Sequence, residues 1–403
     1  MFSTFYTCLT GLNSFRNQLS VVSDNLANSE TTAYKDNTVS FSELVNSAMT
    51  TYSSTATGCG VSIQDVTTNW GQGALSSTGD SNNLAITGSG FFVVHDTSGA
   101  TCYTRNGDFE YNADGTLVTS DGLAVQGYTI NEDGSLGALG DITLSSSIIS
   151  PTTTSELTTT INLNSEAESG DTFSSTISVY DSLGNSIPVT ITYTKTANVN
   201  EWSWAASIPS ETGTATGSGT LTFDENGDLA NGTNPTISLA LTNGSGTPQD
   251  LTWAIYNADG TTTGNMTQIA SASSLSSQSQ NGSAAGTLVG ISTDEQGVIT
   301  GTYSNGKTQP LYQIALAIFA NNNGLNLTGS GLYESSSASG AAVSGVAGSG
   351  QFGSITSGSL EMSTVDMATE MTNMIIAQRA YEACAKMFTV ESEIIQTTIN
   401  AMK

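Results

Sequence analysis

The sequence has little positive charge. Its 403 residues include 8 Lys and Arg against 35 Asp and Glu, so the formal net charge is −27 at pH 7. Binding to nucleic acid relies on cationic side chains that meet phosphates, and such side chains are scarce here. An anionic membrane surface would repel the chain as well. The composition therefore argues against nucleic acid and anionic membranes as partners.

Histidine and cysteine are also rare. The single histidine, His95, follows the strand-like run FFVV without any metal-ligand spacing around it, so we interpret it as a strand-end residue. The cysteines form neither a CxxC pair nor a dense framework, and we interpret them as small hydrophobic residues, at positions 8, 59, 102 and 384. No Ser/His/Asp or Cys/His set stands out. We predict no catalytic residue, no metal site, no cofactor and no enzymatic activity.

The sequence has neither a recognisable secretory leader nor a long apolar run. Residues 1–16, MFSTFYTCLTGLNSFR, lack a basic start, an unbroken apolar core and an obvious cleavage site. The longest apolar run, IALAIFA at 314–320, is too short to span a bilayer. A standard secretory or membrane route is therefore unsupported, and export by another route stays open.

Short apolar runs between turn-forming residues fill most of the chain. Hydrophobic residues make up 37% of it and there are 42 glycines, a composition that suits short strands and tight turns. Four turn sequences share an acidic residue or Asn before Gly: NADG at 112–115, NEDG at 131–134, DENG at 224–227 and NADG at 257–260. We predict hairpin turns there. Calcium is the alternative, but none of the four completes a twelve-residue loop with its closing Glu.

Changes in amino-acid composition along the chain predict a discontinuous arrangement of domains. A Thr- and Ser-rich stretch begins near 146 and a Ser-rich stretch closes near 284, and hairpin-like sequence resumes afterwards. We predict a mainly β protein with helical termini and two outer β domains, the second inserted in the first. The predicted parts are a helical inner domain of 1–28 plus 363–403, a connecting segment of 29–70, a first β domain of 71–145 plus 285–362, and an inserted β domain of 146–284.

Both ends of the chain carry apolar residues at alternating steps of three and four, the heptad spacing of a coiled-coil seam. The N-terminal seam is Phe5, Cys8, Leu12, Phe15, Leu19, Val22 and Leu26. The C-terminal seam is Met367, Met371, Met374, Gln378, Tyr381, Ala385, Phe388, Ser392, Ile395, Ile399 and Met402, in which Gln378 and Ser392 are polar interruptions. Glycine and proline are absent from 359–403. We therefore predict one long helix at each end.

The two predicted helices are nearly uncharged, whereas the middle of the chain is strongly acidic. Arg16 and Asp24 cancel within 1–28, and residues 367–403 sum to −1, so the remaining residues carry −26. Neutral ends can pack against copies of themselves at little electrostatic cost. An ordinary intramolecular helix pair and an assembly subunit both fit the periodicity, and the charge distribution favours the assembly subunit.

Several blocks of the sequence resemble the bacterial flagellar axial proteins, the rod and hook subunits. DNLANSETTAYK resembles their N-terminal signature, and GSLEMSTVDMATEMTNMIIAQRAY resembles the entry to their C-terminal helix. LAITGSGFFVV and YTRNGDFEYNADGTLVTSDGLAVQGY are similar to segments of the same group. The blocks occur in the family's order and cover about half of the chain. Rod proteins usually lack a large inserted domain, so the long insert favours a hook subunit.

The resemblance implies a subunit that polymerises with itself into a flexible tube, a universal joint between rod and filament. It also implies location in the extracellular hook, export by the flagellar type III apparatus without a cleaved signal, and partners among rod, hook-capping and hook–filament junction proteins. A rod subunit with an enlarged insert and a secreted acidic adhesin are the alternatives. The predicted assembly interface consists of Phe5, Cys8, Leu12, Phe15, Leu19, Val22, Leu26, Asn28, Met371, Met374, Tyr381, Phe388, Ile395 and Ile399.

Two residues depart from the family's pattern. Ala33 stands before an aromatic residue where the family often has glycine. Alanine tolerates a positive φ angle poorly, so we expect the local turn to be affected. Cys384 stands where a polar residue is common, and with Cys8 it offers either added apolar contact or a crosslink.

Overall fold

The computed structural model of the chain describes residues 2–45, 58–96, 98–131, 133–144, 148–246 and 248–401. The chain divides into two compact units. Unit 1 consists of Met1–Ser145, Ile291–Thr300 and Pro310–Lys403, and unit 2 consists of Ser146–Gly290 and Gly301–Gln309. The predicted fold class is confirmed, since both units are built mainly from strands and the helices lie at the two ends of the chain.

Two long helices belong to unit 1, α1 (Phe2–Ala27) and α2 (Met367–Ala401). At about 1.5 Å per residue they extend for roughly 39 Å and 52 Å. Asp366 caps the start of α2, because its Oδ1 accepts hydrogen bonds from the Ala368 and Thr369 amides at 2.9 and 3.0 Å. At the end of α1, Asn28 Nδ2 donates to the carbonyl of Asp24 at 3.0 Å, which satisfies one of the last helical acceptors.

A hairpin of two strands follows α1 in unit 1. It consists of β1 (Asn37–Val45) and β2 (Gly58–Thr68). The strands pair antiparallel, with Asn37 opposite Thr68 and Val39 opposite Val66. The hairpin lies within the segment that the sequence analysis assigned to a connection.

The next eight strands continue unit 1: β3 (Leu75–Ser77), β4 (Leu84–Thr87), β5 (Phe91–His95), β6 (Thr101–Thr104), β7 (Phe109–Tyr111), β8 (Leu117–Thr119), β9 (Ala124–Ile130) and β10 (Leu136–Asp141). In the central sheet β5 lies between β6 and β9, and β10 pairs with the far side of β9. The core beneath this sheet is formed by fully buried side chains, among them Leu84, Ile86, Phe92, Val94 and Val125.

Unit 2 is formed mainly by eleven strands: β11 (Ile148–Ile149), β12 (Glu156–Asn164), β13 (Thr172–Tyr180), β14 (Ser186–Lys195), β15 (Glu201–Ser207), β16 (Gly213–Thr216), β17 (Ser218–Thr222), β18 (Thr236–Leu241), β19 (Gln249–Trp253), β20 (Met266–Ile269) and β21 (Ser274–Gln280). Strands β13, β14, β15 and β17 form one sheet, and β12, β16, β18, β19, β20 and β21 form another. The unit has its own core around Tyr193, Trp202 and Trp253, all of which are fully buried.

The chain then returns through eight further strands: β22 (Gly286–Thr293), β23 (Val298–Tyr303), β24 (Thr308–Ile318), β25 (Asn326–Gly329), β26 (Leu332–Glu334), β27 (Val343–Val346), β28 (Ser354–Ser357) and β29 (Ser359–Glu361). Within unit 1, β24 pairs with β5, β9 and β27. Strand β28 pairs with β4 and β29 pairs with β3, so the returning chain lies beside the outgoing one.

The four predicted glycine turns are confirmed. Gly115, Gly134, Gly227 and Gly260 have φ angles of 78°, 79°, 84° and 80°, the left-handed region that glycine adopts without strain. In the turn at 112–115, the Gly115 amide donates to the Asn112 carbonyl at 2.9 Å. The Asn112 side chain accepts further hydrogen bonds from the amides of the turn, so its oxygen is occupied by the backbone.

Candidate assembly surface

The helices α1 and α2 pack against each other in an antiparallel pair. The rings of Phe5 and Phe388 lie 4.6 Å apart near one end of the pair. Towards the other end, the Thr364 amide just before α2 donates to the Tyr34 carbonyl beyond α1, at 3.1 Å. The predicted pairing of the two ends within one chain is therefore present.

The side of α2 that faces α1 is a narrow stripe. Ala377 is fully buried, Glu370 is buried, and Met374, Phe388 and Ile395 are half-buried. The other predicted C-terminal interface residues, Met371, Tyr381 and Ile399, are exposed in the single chain. Met402 of the predicted seam lies outside the described residues. One copy of α1 therefore covers only part of the predicted seam.

All seven predicted seam residues of α1 are at least half-buried. Cys8 and Val22 are buried, and Phe5, Leu12, Phe15, Leu19 and Leu26 are half-buried. The residues are not all covered by α2, since the ring of Phe15 lies 6.0 Å from that of Phe41 on β1. The hairpin is thus a second partner of α1 that the sequence analysis missed. The alternation of apolar and polar residues in NTVSFSELV was the signal for it.

Polar contacts fix α1 on the hairpin. Asn25 is fully buried, and its side chain both donates to the Asn37 carbonyl at 2.8 Å and accepts from the Asn37 amide at 3.0 Å. Further along α1, Ser14 Oγ donates to the Val61 carbonyl at 3.4 Å. Asn28, the remaining predicted interface residue, is half-buried and accepts from Thr31 Oγ1 at 3.1 Å. Asn28 therefore stabilises the C-terminal end of α1 within the single chain.

A second apolar face of α2 is open to solvent, and we call it the outer face. Ile375 and Ile376 are 58% and 59% exposed, next to the fully buried Ala377. The outer face consists of Ile375, Ile376, Met387, Val390 and Ile394. At about 100° per residue these five side chains fall within an arc of about 120°, centred roughly 160° from the stripe that meets α1. This face was not predicted, because its residues lie off the heptad seam.

A buried ionic cluster joins the end of β29 to the segment just before β1. Lys35 Nζ lies 2.6 Å from Glu361 Oε1, and both side chains are fully buried. Arg105 Nη1 lies 3.5 Å from Glu361 Oε2. The Gly73 amide and the Gly71 carbonyl complete the cluster, with hydrogen bonds to Glu361 Oε1 at 2.8 Å and from Lys35 Nζ at 2.7 Å. Burial lowers the pKa of Lys35, and the hydrogen bond to Glu361 acts in the opposite direction.

Ala33 adopts the conformation that glycine would favour. Its φ angle is 57°, and its amide donates to the carbonyl of Glu361 at 2.8 Å. The alanine is buried, so its surroundings hold the strained turn in place. Ala33 therefore adopts the unfavourable positive φ angle that was expected to affect the turn, and it does so next to the ionic cluster.

Among the residues that the structure describes, no group of three or more His, Cys, Asp and Glu side chains is arranged to hold a metal ion. Likewise, no helix in the described ranges is both long and apolar enough to cross a membrane. What unit 1 does offer is a neutral helix pair with apolar side chains that a single chain leaves in water.

Sequence profiles of four flagellar domains match the chain in order. They are the flagella basal body rod protein at 5–35, the flagellar hook protein FlgE/F/G D1 domain at 85–168, the flagellar basal body protein FlaE D2 domain at 144–283, and the flagellar basal body rod FlgEFG protein C-terminal domain at 356–401. Together they span both helices and both units.

Full-length relatives and a solved structure agree with these profiles. The flagellar hook protein FlgE of Escherichia coli K12 is 31% identical over 98% of this chain and 99% of its own. That of Salmonella typhimurium LT2 is 33% identical over 98% of this chain and 99% of its own. The crystal structure of Helicobacter pylori flagellar hook protein FlgE2 shares the fold, with a TM-score of 0.52 and 15% identity over 70% of this chain and 98% of that one. The chain thus belongs to the flagellar hook protein family and is a structural subunit of the hook.

Proposed function

We propose that copies of this chain form a bendable tube in which the helices α1 and α2 make the principal contacts between subunits. The tube transmits torque from the rod to the filament as a universal joint. The observation that carries the proposal is the outer face of α2, a row of large apolar side chains that the single chain leaves in water. A surface of this kind on a helix is typical of a protein–protein contact.

Burial of this face contributes favourable free energy to assembly, which offsets part of the cost of association. Full burial of an isoleucine, valine or methionine side chain contributes about 1.5–3 kcal/mol, and a side chain that is already half-covered gains roughly half of that. Five such residues supply several kcal/mol for each subunit, before the exposed Met371, Tyr381 and Ile399 are included. The predicted interface residues and the outer face together form a surface that several neighbours can share.

The distribution of charge directs contacts to the helices. The described part of α1 carries Arg16 and Asp24, which cancel, whereas the chain as a whole has a net charge of −27. Close packing of the acidic β units would meet mutual repulsion, and close packing of the helices meets little. Bending then follows from helices that keep their apolar contacts while polar contacts between β units exchange with water.

We propose in addition an export route, a location and partners for the subunit. The subunit is exported by the flagellar type III apparatus without loss of a signal peptide and lies in the extracellular hook. Its partners are the rod, the hook-capping protein and the hook–filament junction proteins. The near-full-length similarity to flagellar hook proteins of other bacteria supports this placement.

Substitutions on the outer face test the proposal. Ile376→Ser and Ile394→Ser each remove about 1 kcal/mol of burial, so each should raise the concentration needed for polymerisation about fivefold. Gln396→Ser, at an exposed position of α2 that belongs to neither the predicted seam nor the outer face, is the matched control. Polymer is measured by sedimentation and electron microscopy. Tubes that form at the unchanged concentration in both isoleucine variants would contradict the proposal.

A deletion supplies an independent check. Removal of residues 374–403 takes away most of α2, whereas unit 2 keeps its complete core. We expect a soluble protein with β circular dichroism that forms no tubes. Tubes assembled by the deleted protein would show that the contacts between subunits lie elsewhere.

A further inference from the structure

The helix pair carries one cysteine on each helix, Cys8 on α1 and Cys384 on α2. Phe5 and Phe388 are in ring contact at 4.6 Å and define the register of α1 against α2. Because the helices are antiparallel, one turn forward along α1 lies opposite one turn back along α2. Those steps lead from Phe5 to Cys8 and from Phe388 to Cys384. The register thus places both thiols at the same level of the pair.

The Cys384 sulfur lies against α1 within one helical turn of Cys8. It lies 3.1 Å from the place where a Cβ atom on Gly11 would stand. Gly11 is three residues after Cys8 and therefore on the same face of α1. The missing side chain at Gly11 lets the sulfur approach the α1 backbone beside Cys8. Burial raises the pKa of Cys384, and the nearby Cys8 thiol raises it further.

We propose that Cys8 and Cys384 form an intramolecular disulfide when the protein meets a disulfide oxidant, and that this bond locks α1 to α2. In the first step, the Cys384 thiolate attacks one sulfur of glutathione disulfide and expels one glutathione thiolate. In the second, the Cys8 thiolate attacks the Cys384 sulfur and expels the other glutathione. Two cysteine thiols are oxidised and one glutathione disulfide is reduced to two glutathione thiolates, which take up two protons in place of the two that the cysteines give to solvent.

The exposure of the two thiols suits this order of events. Cys384 is half-buried and meets the reagent first, whereas Cys8 is buried against α2 and is positioned to resolve the mixed disulfide. Both thiols are held by helices, so few conformations have to be sampled before the Cys8 thiolate reaches the Cys384 sulfur. The resulting bond joins residues near the two ends of the chain, so it keeps the helix pair closed when the termini would otherwise separate.

Cys59 is the competitor for Cys8. It begins β2 next to Gly60, whose Cβ position would lie 3.3 Å from the Thr7 Cα atom, so it approaches α1 from the side of the hairpin. Cys102 is buried in unit 1, in a different core. Cys59 is therefore the alternative partner for Cys8, and Cys102 serves as an internal control.

Peptide mapping of the full-length monomer tests the proposal. Reduced protein is incubated with glutathione disulfide, alkylated and digested with trypsin without reduction. We expect a linked pair of peptides 1–16 and 380–386 in protein that still runs as a monomer on a non-reducing gel. Cys8→Ser and Cys384→Ser should each abolish it, while Cys59→Ser and Cys102→Ser should leave it unchanged. A Cys8–Cys59 link, a link between chains, or glutathione retained on Cys384 would each overturn the proposal.

The locking effect has its own measurement. Oxidised protein should be cleaved by trypsin after Arg16 and Arg379 at least tenfold more slowly than reduced protein, and dithiothreitol should restore the faster rate. The Cys8→Ser variant, treated in the same way, should show no difference between the two conditions. Equal cleavage rates for oxidised and reduced wild-type protein would show that the bond does not hold the helices together. Because both experiments use monomer, their outcome is independent of the polymer proposal.

Discussion

Removal of the carboxylate from the buried ionic cluster provides a sensitive test of what holds unit 1 together. Glu361 is the acidic member, and Lys35 and Arg105 lie 2.6 and 3.5 Å from its two oxygens. Glu361→Gln preserves the shape of the side chain and an acceptor for the Gly73 amide. It leaves two buried cations without a counter-charge. We expect a loss of about 3–5 kcal/mol in the free energy of unfolding of unit 1.

Tryptophan fluorescence can follow the two units separately. Trp70 lies in unit 1, whereas Trp202, Trp204 and Trp253 lie in unit 2. The difference between the wild-type and Trp70→Phe titrations reports unit 1, and the three unit 2 tryptophans stay in the core to which they belong. With a urea dependence of about 2–3 kcal/mol per molar, the midpoint for unit 1 should fall by roughly 1–2 M, and the unit 2 midpoint in the Trp70→Phe chain should stay constant.

The matched control is Glu110→Gln, which removes an exposed carboxylate from the same unit. It should shift the unit 1 midpoint by less than about 0.3 M, since surface charges contribute little. Adding Lys35→Met to Glu361→Gln should recover part of the loss, because one unpaired cation is removed. Equal unit 1 urea midpoints for Glu361→Gln and Glu110→Gln would contradict the predicted contribution of the ionic cluster.

Three further predictions concern unit 1. Ala33→Gly relieves a φ angle of 57° and should raise the free energy of unfolding by about 0.5–1 kcal/mol; a lower urea midpoint would show that the buried methyl group outweighs the strain. Asn25→Ala strips both hydrogen bonds from the Asn37 backbone and should cost about 2–3 kcal/mol, while Asn28→Ala should cost less; equal midpoints for the two variants would refute this. Burial raises the pKa of Tyr111 to about 12, from 10 in the unfolded chain. The stability that the neutral Tyr111 side chain contributes is therefore fully present below pH 10 and is lost as the pH rises through 12. Between those values wild type should lose about 2–3 kcal/mol more than Tyr111→Phe, as measured by urea titration at each pH, and parallel losses would exclude this tyrosine.

Local patterns predicted the elements that depend on local chemistry. The terminal helices follow from heptad spacing and from the absence of Gly and Pro in 359–403. The turns follow from glycines that need positive φ angles. The hairpin β1–β2 was missed because its alternation is short: only Val39 and Phe41 keep the period-two spacing in β1, and the spacing breaks in β2 between Ile63 and Val66.

Features that depend on distant residues could not be predicted in this way. Lys35 and Glu361 are separated by 326 positions, and neither has a neighbour in sequence that signals its partner. The outer face of α2 was missed for a different reason. Ile375 and Ile376 are adjacent, so a helix must turn them in different directions, and a search for one stripe discards both.

The pairing of Ile148 on β11 with Thr287 on β22 has a practical consequence for this architecture. The place where the chain enters unit 2 and a place where it leaves are neighbouring strands, roughly 5 Å apart. A compact fold with adjacent ends can be grafted there if it also packs against Gly301–Gln309, which belongs to unit 2. Unit 2 can thus be redesigned, for size, charge or a displayed epitope, while the helical contacts at the termini of the chain keep their chemistry.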